Sequence, residues 1–222
     1  MGSGGETDQV ATEVARQFGE MNVLMEEIEQ IEITRPEGAK AGALEAFSGE
    51  LLGAVKRLEP GKKMVLPGGT LHHAMLYEIE KLEGGKIKFT IVNTGDELSR
   101  HCSMEIDGKV KYSPSYTRTD IPEGNIDGEF LKNLVGFQVY KTNVRNIYDL
   151  LGRKGGRKIS DAELQEHPDL FIKPQKLGTC THKALSAYLK MQYHKKGKLK
   201  DFRRMKLMSK VSTLNNLKRS MD

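Results

Sequence analysis

The spacing of apolar residues changes twice along the chain, and this change constrains the fold more than any other feature of the sequence. Over Gln9–Ile33 apolar residues recur every three or four positions, as on one face of an amphipathic helix, and Ala41–Leu58 repeats the pattern. Lys86–Val92 alternates charged and apolar residues instead, which is typical of a strand with one wet face. Helical spacing returns after Gly128. This order predicts an α+β fold, in which a central antiparallel sheet has flanking N- and C-terminal helices.

Glycine-rich turn signals divide the predicted sheet. Pro67-Gly68-Gly69 is expected to be a turn that leads into a strand over His73–Glu80. Glu83-Gly84-Gly85 is a hairpin signal that joins this strand to Lys86–Val92. The other predicted elements are two short strands and five helices: Ser103–Ile106, Lys109–Tyr112, Phe130–Phe137, Val144–Leu151, a short helix opened by a capping box at Ser160, Cys180–Lys195 and Lys200–Leu217.

Composition excludes several classes of protein. No apolar run approaches the roughly 20 residues that a transmembrane helix needs, and the N-terminus lacks the apolar region of a secretory signal. The two cysteines, Cys102 and Cys180, are too few for a disulfide framework or a Cys-rich zinc site, and they fit a reducing compartment. We therefore expect a cytoplasmic protein with no transmembrane segment, no metal and no cofactor.

The net charge of +5 is unevenly distributed. Glutamates dominate the first 50 residues, whereas lysines and arginines dominate the last 33. The basic C-terminal helix suggests an anionic partner, either nucleic acid or a phospholipid surface. The alternative is that these cations form a solvated helix face, with or without ion pairs to the acidic N-terminal region.

Cys180 has the local context of a thiol nucleophile. It opens a predicted helix, where the amide groups and the helix dipole favour a thiolate. Its own N–H is available to an oxyanion, and Gln175, five positions earlier in a loop, is placed to supply a second donor. The alternative is a small buried residue that begins a core helix.

His73 and Asn93 supply the two groups that would activate this thiol. A hairpin centred near residue 83 places His73 across from Asn93, within side-chain reach. If the Asn carbonyl accepts from one imidazole nitrogen, the other nitrogen faces the nucleophile. A structural polar pair at the sheet end is the alternative. His72 is the competing base, but it points the other way on a strand, and we prefer His73.

Two other motifs give weaker signals. Cys102 lies beside His101, but two ligands are too few for a metal site, so we expect Cys102 to be a core residue. The basic, glycine-rich segment Gly152–Lys158 lacks the strand, the helix and the Lys-Ser/Thr pair of a P-loop. We expect it to be a flexible loop.

The segments that carry these residues resemble the papain-like cysteine peptidase superfamily. Leu71–Met75 and Phe89–Gly95 resemble its His and Asn strands, and Gln175–Cys180 followed by a helix resembles its oxyanion and nucleophile segment. The order His, Asn, Gln, Cys is that of the permuted CE clan, which includes adenoviral protease, SUMO and other ubiquitin-like proteases, and bacterial effector deubiquitinases. The resemblance covers less than a third of the chain.

The sequence departs from that pattern at three points. Ala74 follows the histidine where an aromatic residue is usual, and Thr181 follows the cysteine where glycine is common. Asn93 and Cys180 are 87 residues apart, which is long for the group and predicts an inserted segment around residues 107–160. We expect residues 1–8 to be disordered or tag-like, 9–60 to form a helical region packed on the core, and 61–222 to form the catalytic core.

The resemblance implies a function as well as a fold. It implies a sheet packed against the nucleophile-bearing helix, and a thiol protease that cleaves peptide or isopeptide bonds. The implied substrate is the diglycine C-terminus of ubiquitin or a ubiquitin-like protein, in the host cytoplasm if the chain is a secreted bacterial effector. Two alternatives stay open: an acyltransferase that uses the same residues with acetyl-CoA, and a non-enzymatic basic binding module.

Overall fold

Two long helices begin the fold. In the computed structural model, which describes residues 4–70, 72–140, 142–175 and 180–208, α1 spans Gly4–Thr34 and α2 spans Glu37–Arg57. Pro36 separates them because its backbone is extended and it has no N–H to donate to a continuous helix. Helix α1 begins inside residues 1–8, which were predicted to be disordered or tag-like.

The next region forms a five-stranded antiparallel sheet and a separate two-stranded hairpin. The order in the sheet is β1-β2-β3-β6-β7, so that β1 is an edge strand, and β4 pairs with β5 in the hairpin. The strands are β1 Lys63–Thr70, β2 His73–Leu82, β3 Lys86–Val92, β4 Ser103–Ile106, β5 Lys109–Tyr112, β6 Ser115–Pro122 and β7 Arg157–Lys158. This architecture confirms the predicted α+β class.

The remaining helices lie between and after the strands. They are α3 Gly128–Val139, α4 Val144–Gly152, α5 Asp161–Gln165, α6 Cys180–Lys195 and a last helical segment over residues 199–208. The predicted capping box opens α5, with Ser160 and Glu163 each accepting a backbone hydrogen bond. The prediction for Lys200–Leu217 falls partly outside the described residues, since it continues past 208.

The sheet is covered on both faces. On one face Met75, Tyr77 and Ile79 of β2 pack in a core cluster with residues of α2, α3 and α4. On the other face Leu76 and Val92 pack with the apolar side of α6. Alternation along β2 therefore assigns His73 to the same face as Met75, and α6 to the opposite face.

The predicted turn at Pro67-Gly68-Gly69 is wrong, because these residues continue β1 to Thr70. Proline is tolerated there because β1 is an edge strand, which needs fewer backbone donors. The side chain of Tyr77 explains the glycines: a Cβ on Gly68 would lie 2.4 Å from its ring, and its hydroxyl accepts from the N–H of Gly69 at 3.0 Å.

The region 107–160, predicted to be an inserted segment, contributes to the main sheet and to the core. Strand β6 pairs with β3 along its length, from Lys86 opposite Pro122 to Val92 opposite Ser115. Helices α3 and α4 supply Phe130 and other fully buried side chains to the main cluster.

Candidate active site

The centre of the site is a hydrogen bond between His73 and Asn93. Nε2 of the imidazole lies 2.7 Å from Oδ1 of Asn93, and both side chains are buried. Because an amide oxygen can only accept, Nε2 carries the ring proton in a neutral imidazole. Nδ1 is then the basic nitrogen, which is the arrangement that a general base requires.

The pairing register of the hairpin differs by two residues from the predicted one. Leu82 pairs with Lys86 and Leu76 with Val92, so the hairpin is centred on residue 84 rather than 83. The loop has three residues, and Gly84 and Gly85 both adopt positive φ. Asn93 therefore lies diagonally across from His73 and not directly opposite. Diagonal neighbours share a face of the sheet and stay within reach of long side chains.

Four hydrogen bonds fix the amide of Asn93. Besides His73, Oδ1 accepts from the N–H of Gly95 at 2.9 Å. Nδ2 donates to the carbonyl of Asp96 at 2.5 Å and to the hydroxyl of Tyr148 at 2.8 Å. A flipped amide would set its NH₂ group against the N–H of Gly95 and its oxygen against the carbonyl of Asp96, so the side chain presents its oxygen, and not its nitrogen, to the imidazole.

Tyr148 and His101 complete a buried polar network that sequence reasoning did not find. The Tyr148 hydroxyl lies 2.7 Å from Nε2 of His101, whose Nδ1 lies 2.8 Å from the carbonyl oxygen of Ser113. Burial lowers the pKa of His101 to about 4 and raises the pKa of Tyr148. One signal was present in the sequence: a tyrosine on the buried face of α4 needs a partner for its hydroxyl.

Gln175 is hydrogen-bonded to Thr94, in the loop that follows Asn93. Its N–H donates to the carbonyl of Thr94 at 2.8 Å, and its Oε1 accepts from the Thr94 hydroxyl at 2.7 Å. A Cβ on Gly95 would lie 2.9 Å from Nε2 of Gln175 and 2.5 Å from Cε1 of His73. The carboxamide donor and the imidazole therefore converge at Gly95.

Cys180 is the first residue of α6 and is half-buried. Near the other end of the helix, Gln192 and Lys195 bond the carboxylate of Glu78 on β2. The helix rises about 18 Å from residue 192 to residue 180, and β2 spans about 17 Å from Glu78 to His73. Ala184 packs in one cluster with Leu76 and Val92, so α6 begins at the end of the sheet where His73 and Asn93 lie.

The structure brings three of the four predicted site residues into one hydrogen-bonded arrangement. His73, Asn93 and Gln175 meet around the loop 93–96, whereas the hydrogen bonds of the described residues include none between Cys180 and His73. Because α6 covers the opposite face, the thiol and the imidazole must approach each other around the end of the sheet. Residues 176–179, which join Gln175 to Cys180, lie outside the described residues.

The competing histidine and cysteine occupy different surroundings. His72 is exposed. Cys102 is only 1% exposed, which confirms its predicted place in the core. Burial and the charge of Asp161 raise the pKa of its thiol.

The basic C-terminal region is helical as far as the structure describes it. Phe202 is buried and packs against Tyr193 of α6 at 6.1 Å between ring centroids. Four cationic side chains of this segment are exposed: Lys200, Arg203, Arg204 and Lys206. The segment therefore presents positive charge outward.

Comparison with protein-family models and with curated proteins finds no match for this chain. Within the described ranges, no helix combines the length and the apolar character that crossing a bilayer requires.

Proposed function

We propose that this chain is a thiol hydrolase that cleaves peptide or isopeptide bonds. Cys180 is the nucleophile, His73 its base, and Asn93 the group that orients the base. The observation that carries the proposal is the buried hydrogen bond from His73 Nε2 to Asn93 Oδ1. It fixes a basic Nδ1 at the end of the sheet where α6 begins.

The reaction follows from the roles of these groups. Nδ1 of His73 takes the proton of the Cys180 thiol, and the thiolate attacks the carbonyl carbon of the substrate. The amine leaves with the proton from the imidazolium, which gives a thioester. His73 then removes a proton from water, and the hydroxide releases the carboxylic acid and restores the thiol.

Two donors stabilise the oxyanion in this scheme. Oε1 of Gln175 is already held by Thr94, so its Nε2–H group is the part available to a substrate. The N–H of Cys180 belongs to the first turn of α6 and needs no partner within the helix. Amides at that helix end also favour the thiolate. Catalytic hydrogen bonds commonly form or shorten only when substrate binds. We therefore expect the thiol of Cys180 to reach the imidazole of His73 in the complex with substrate.

The proposed substrate is the diglycine C-terminus of ubiquitin or a ubiquitin-like protein, and the proposed location is the cytoplasm. The order His73, Asn93, Gln175, Cys180 supports this choice, since it is the order of the ubiquitin-like proteases that the sequence resembles. The two thiols, one half-buried and one buried, fit a reducing compartment.

Thiol alkylation tests the proposed nucleophile and base. Iodoacetamide at neutral pH is expected to modify Cys180 in preference to Cys102, as located by peptide mass spectrometry. His73→Ala should slow the modification of Cys180 about 100-fold, since a positioned base contributes at least that much. His72→Ala is the matched control and should leave the rate unchanged. Equal rates for the two histidine variants would contradict the assignment of His73.

Activity-based probes test the substrate. Ubiquitin and SUMO that bear a C-terminal electrophile should form an adduct on Cys180 of the wild-type protein, and Cys180→Ala should form none. Alkylation of Cys180 without any such adduct would contradict a ubiquitin-like substrate while leaving the thiol chemistry intact. An acetyl-enzyme formed from acetyl-CoA would redirect the proposal to acyl transfer.

A further inference from the structure

A chain of hydrogen bonds holds the candidate site from the side away from Cys180. It runs from the carbonyl of Ser113 through His101 and Tyr148 to the amide of Asn93. The distances along it are 2.8, 2.7 and 2.8 Å, and all four residues are buried. The proposed reaction uses only its last member.

The hydrogens of this chain can be assigned in only one direction for a neutral His101. Nδ2 of Asn93 can only donate, so the Tyr148 oxygen accepts from it. The carbonyl of Ser113 can only accept, so Nδ1 of His101 carries the imidazole proton. Nε2 of His101 is then an acceptor, and it takes the hydrogen of the Tyr148 hydroxyl.

We propose that Tyr148 and His101 are positioning residues that hold the amide of Asn93 in the orientation that His73 needs; this inference rests on the proposed function. If the amide of Asn93 were turned over, its NH₂ group would face Nε2 of His73. The imidazole would then carry its proton on Nδ1, which could no longer accept the proton of a thiol. The chain of hydrogen bonds from Ser113 through His101 and Tyr148 to Asn93, here called the relay, opposes this flip. It does so because the Tyr148 oxygen offers an acceptor to the nitrogen side of the amide.

Packing holds Tyr148 in place independently of its hydroxyl. Its ring makes edge contacts with His101 and Tyr116, at centroid distances of 5.6 and 5.1 Å. The guanidinium of Arg100 lies 5.6 Å above the ring. Tyr148→Phe should therefore keep the ring in place and remove only the hydrogen bonds.

The test compares Tyr148→Phe with two variants of His101. Nitrogen-15 NMR of the histidine rings reports the tautomer of His73, and iodoacetamide reports the reactivity of Cys180. Tyr148→Phe is expected to mix the two tautomers of His73 and to slow alkylation of Cys180 roughly tenfold, the scale of one lost buried hydrogen bond. His101→Phe should do the same. His101→Gln should rescue both readouts, because its amide oxygen can accept from Tyr148.

Tyr116→Phe is the matched control, since it removes a hydroxyl from the same ring cluster but not from the relay. It should leave both readouts at wild-type values. An unchanged His73 tautomer in folded Tyr148→Phe or His101→Phe would overturn the relay. If wild-type Cys180 proves unreactive, the proposed function fails, but the tautomer measurement still decides the role of the relay.

Discussion

At Gly95 a side chain would meet two of the groups assigned to catalysis. Its Cβ would lie 2.5 Å from Cε1 of His73 and 2.9 Å from Nε2 of Gln175. The end of Gln175 can swing away, but the imidazole is held by Asn93 and is buried. Relief of the clash must therefore move either the imidazole of His73, the proposed base, or the carboxamide of Gln175, the proposed oxyanion donor.

Gly95→Ala is expected to lower the rate of Cys180 alkylation or probe labelling about 100-fold. A displacement of about 1 Å at a reacting group has an effect of this size. The free energy of unfolding should fall by about 1–3 kcal/mol, the range for one methyl group added to a packed site. Gly124→Ala is the control, since a Cβ there meets nothing within 4 Å. Full activity in Gly95→Ala would contradict the convergence of the base and the donor at this residue.

The sequence predicted the His73–Asn93 pair because a short hairpin encodes it. Twenty residues separate the two, and Gly84-Gly85 marks the turn between them. The relay behind Asn93 had no such local signal. His101 and Tyr148 are 47 residues apart, one in the loop before β4 and the other on α4, so their contact depends on tertiary packing.

At the scale of elements, a buried carboxylate anchors α6 to the sheet. Glu78 on β2 is 1% exposed and accepts from Lys63 at 2.9 Å, Gln192 at 2.9 Å and Lys195 at 3.1 Å. Burial alone would raise the pKa of Glu78, but the charges of Lys195 and Lys63 hold it at about 2. The carboxylate thus stays ionised and sets the position of α6 along β2, and with it the position of Cys180.

Glu78→Ala is expected to lower the free energy of unfolding by about 3–5 kcal/mol, because it leaves two cations near the interior without their anion. Glu80→Ala is the matched control on the same strand. Glu80 pairs with Lys88, and both side chains are partly exposed. Glu80→Ala should lower the free energy of unfolding by no more than about 1 kcal/mol. Urea unfolding of the two variants measures the difference, and equal losses would contradict the anchoring role.

Element boundaries were predictable where one local signal was sufficient. The bounds of α6 agree with the prediction because its apolar side repeats at helical spacing. Strand β6 was missed because its inward positions include Ser115, Thr117 and Thr119, so the alternation of apolar and polar residues is absent. The hydroxyls of Thr117 and Thr90 satisfy each other at 3.0 Å, a tertiary contact that periodicity cannot show.

At the scale of the whole molecule, the sheet buries titratable groups on both of its faces. His101 is buried on the side of α4, and Glu78 is buried on the side of α6. Both have a lowered pKa in the folded protein, His101 from 6.5 and Glu78 from 4.5. In each case the unfolded chain binds a proton at a higher pH than the folded chain does. Acid therefore destabilises the fold in two steps, through His101 first and Glu78 second.

The His101 step predicts a specific dependence of stability on pH. Its contribution should be complete above pH 6.5 and should be lost as the pH falls towards about 4, the folded pKa. The total loss is about 3 kcal/mol, since each pH unit of difference corresponds to about 1.4 kcal/mol. Urea unfolding at about pH 7.5 and pH 4.5 should show most of this loss in the wild type and much less in His101→Gln. Burial also lowers the pKa of His194, but that contribution is common to both proteins and cancels in the comparison. Parallel pH profiles would mean that the pKa of His101 does not fall on folding, which would contradict this predicted step in stability.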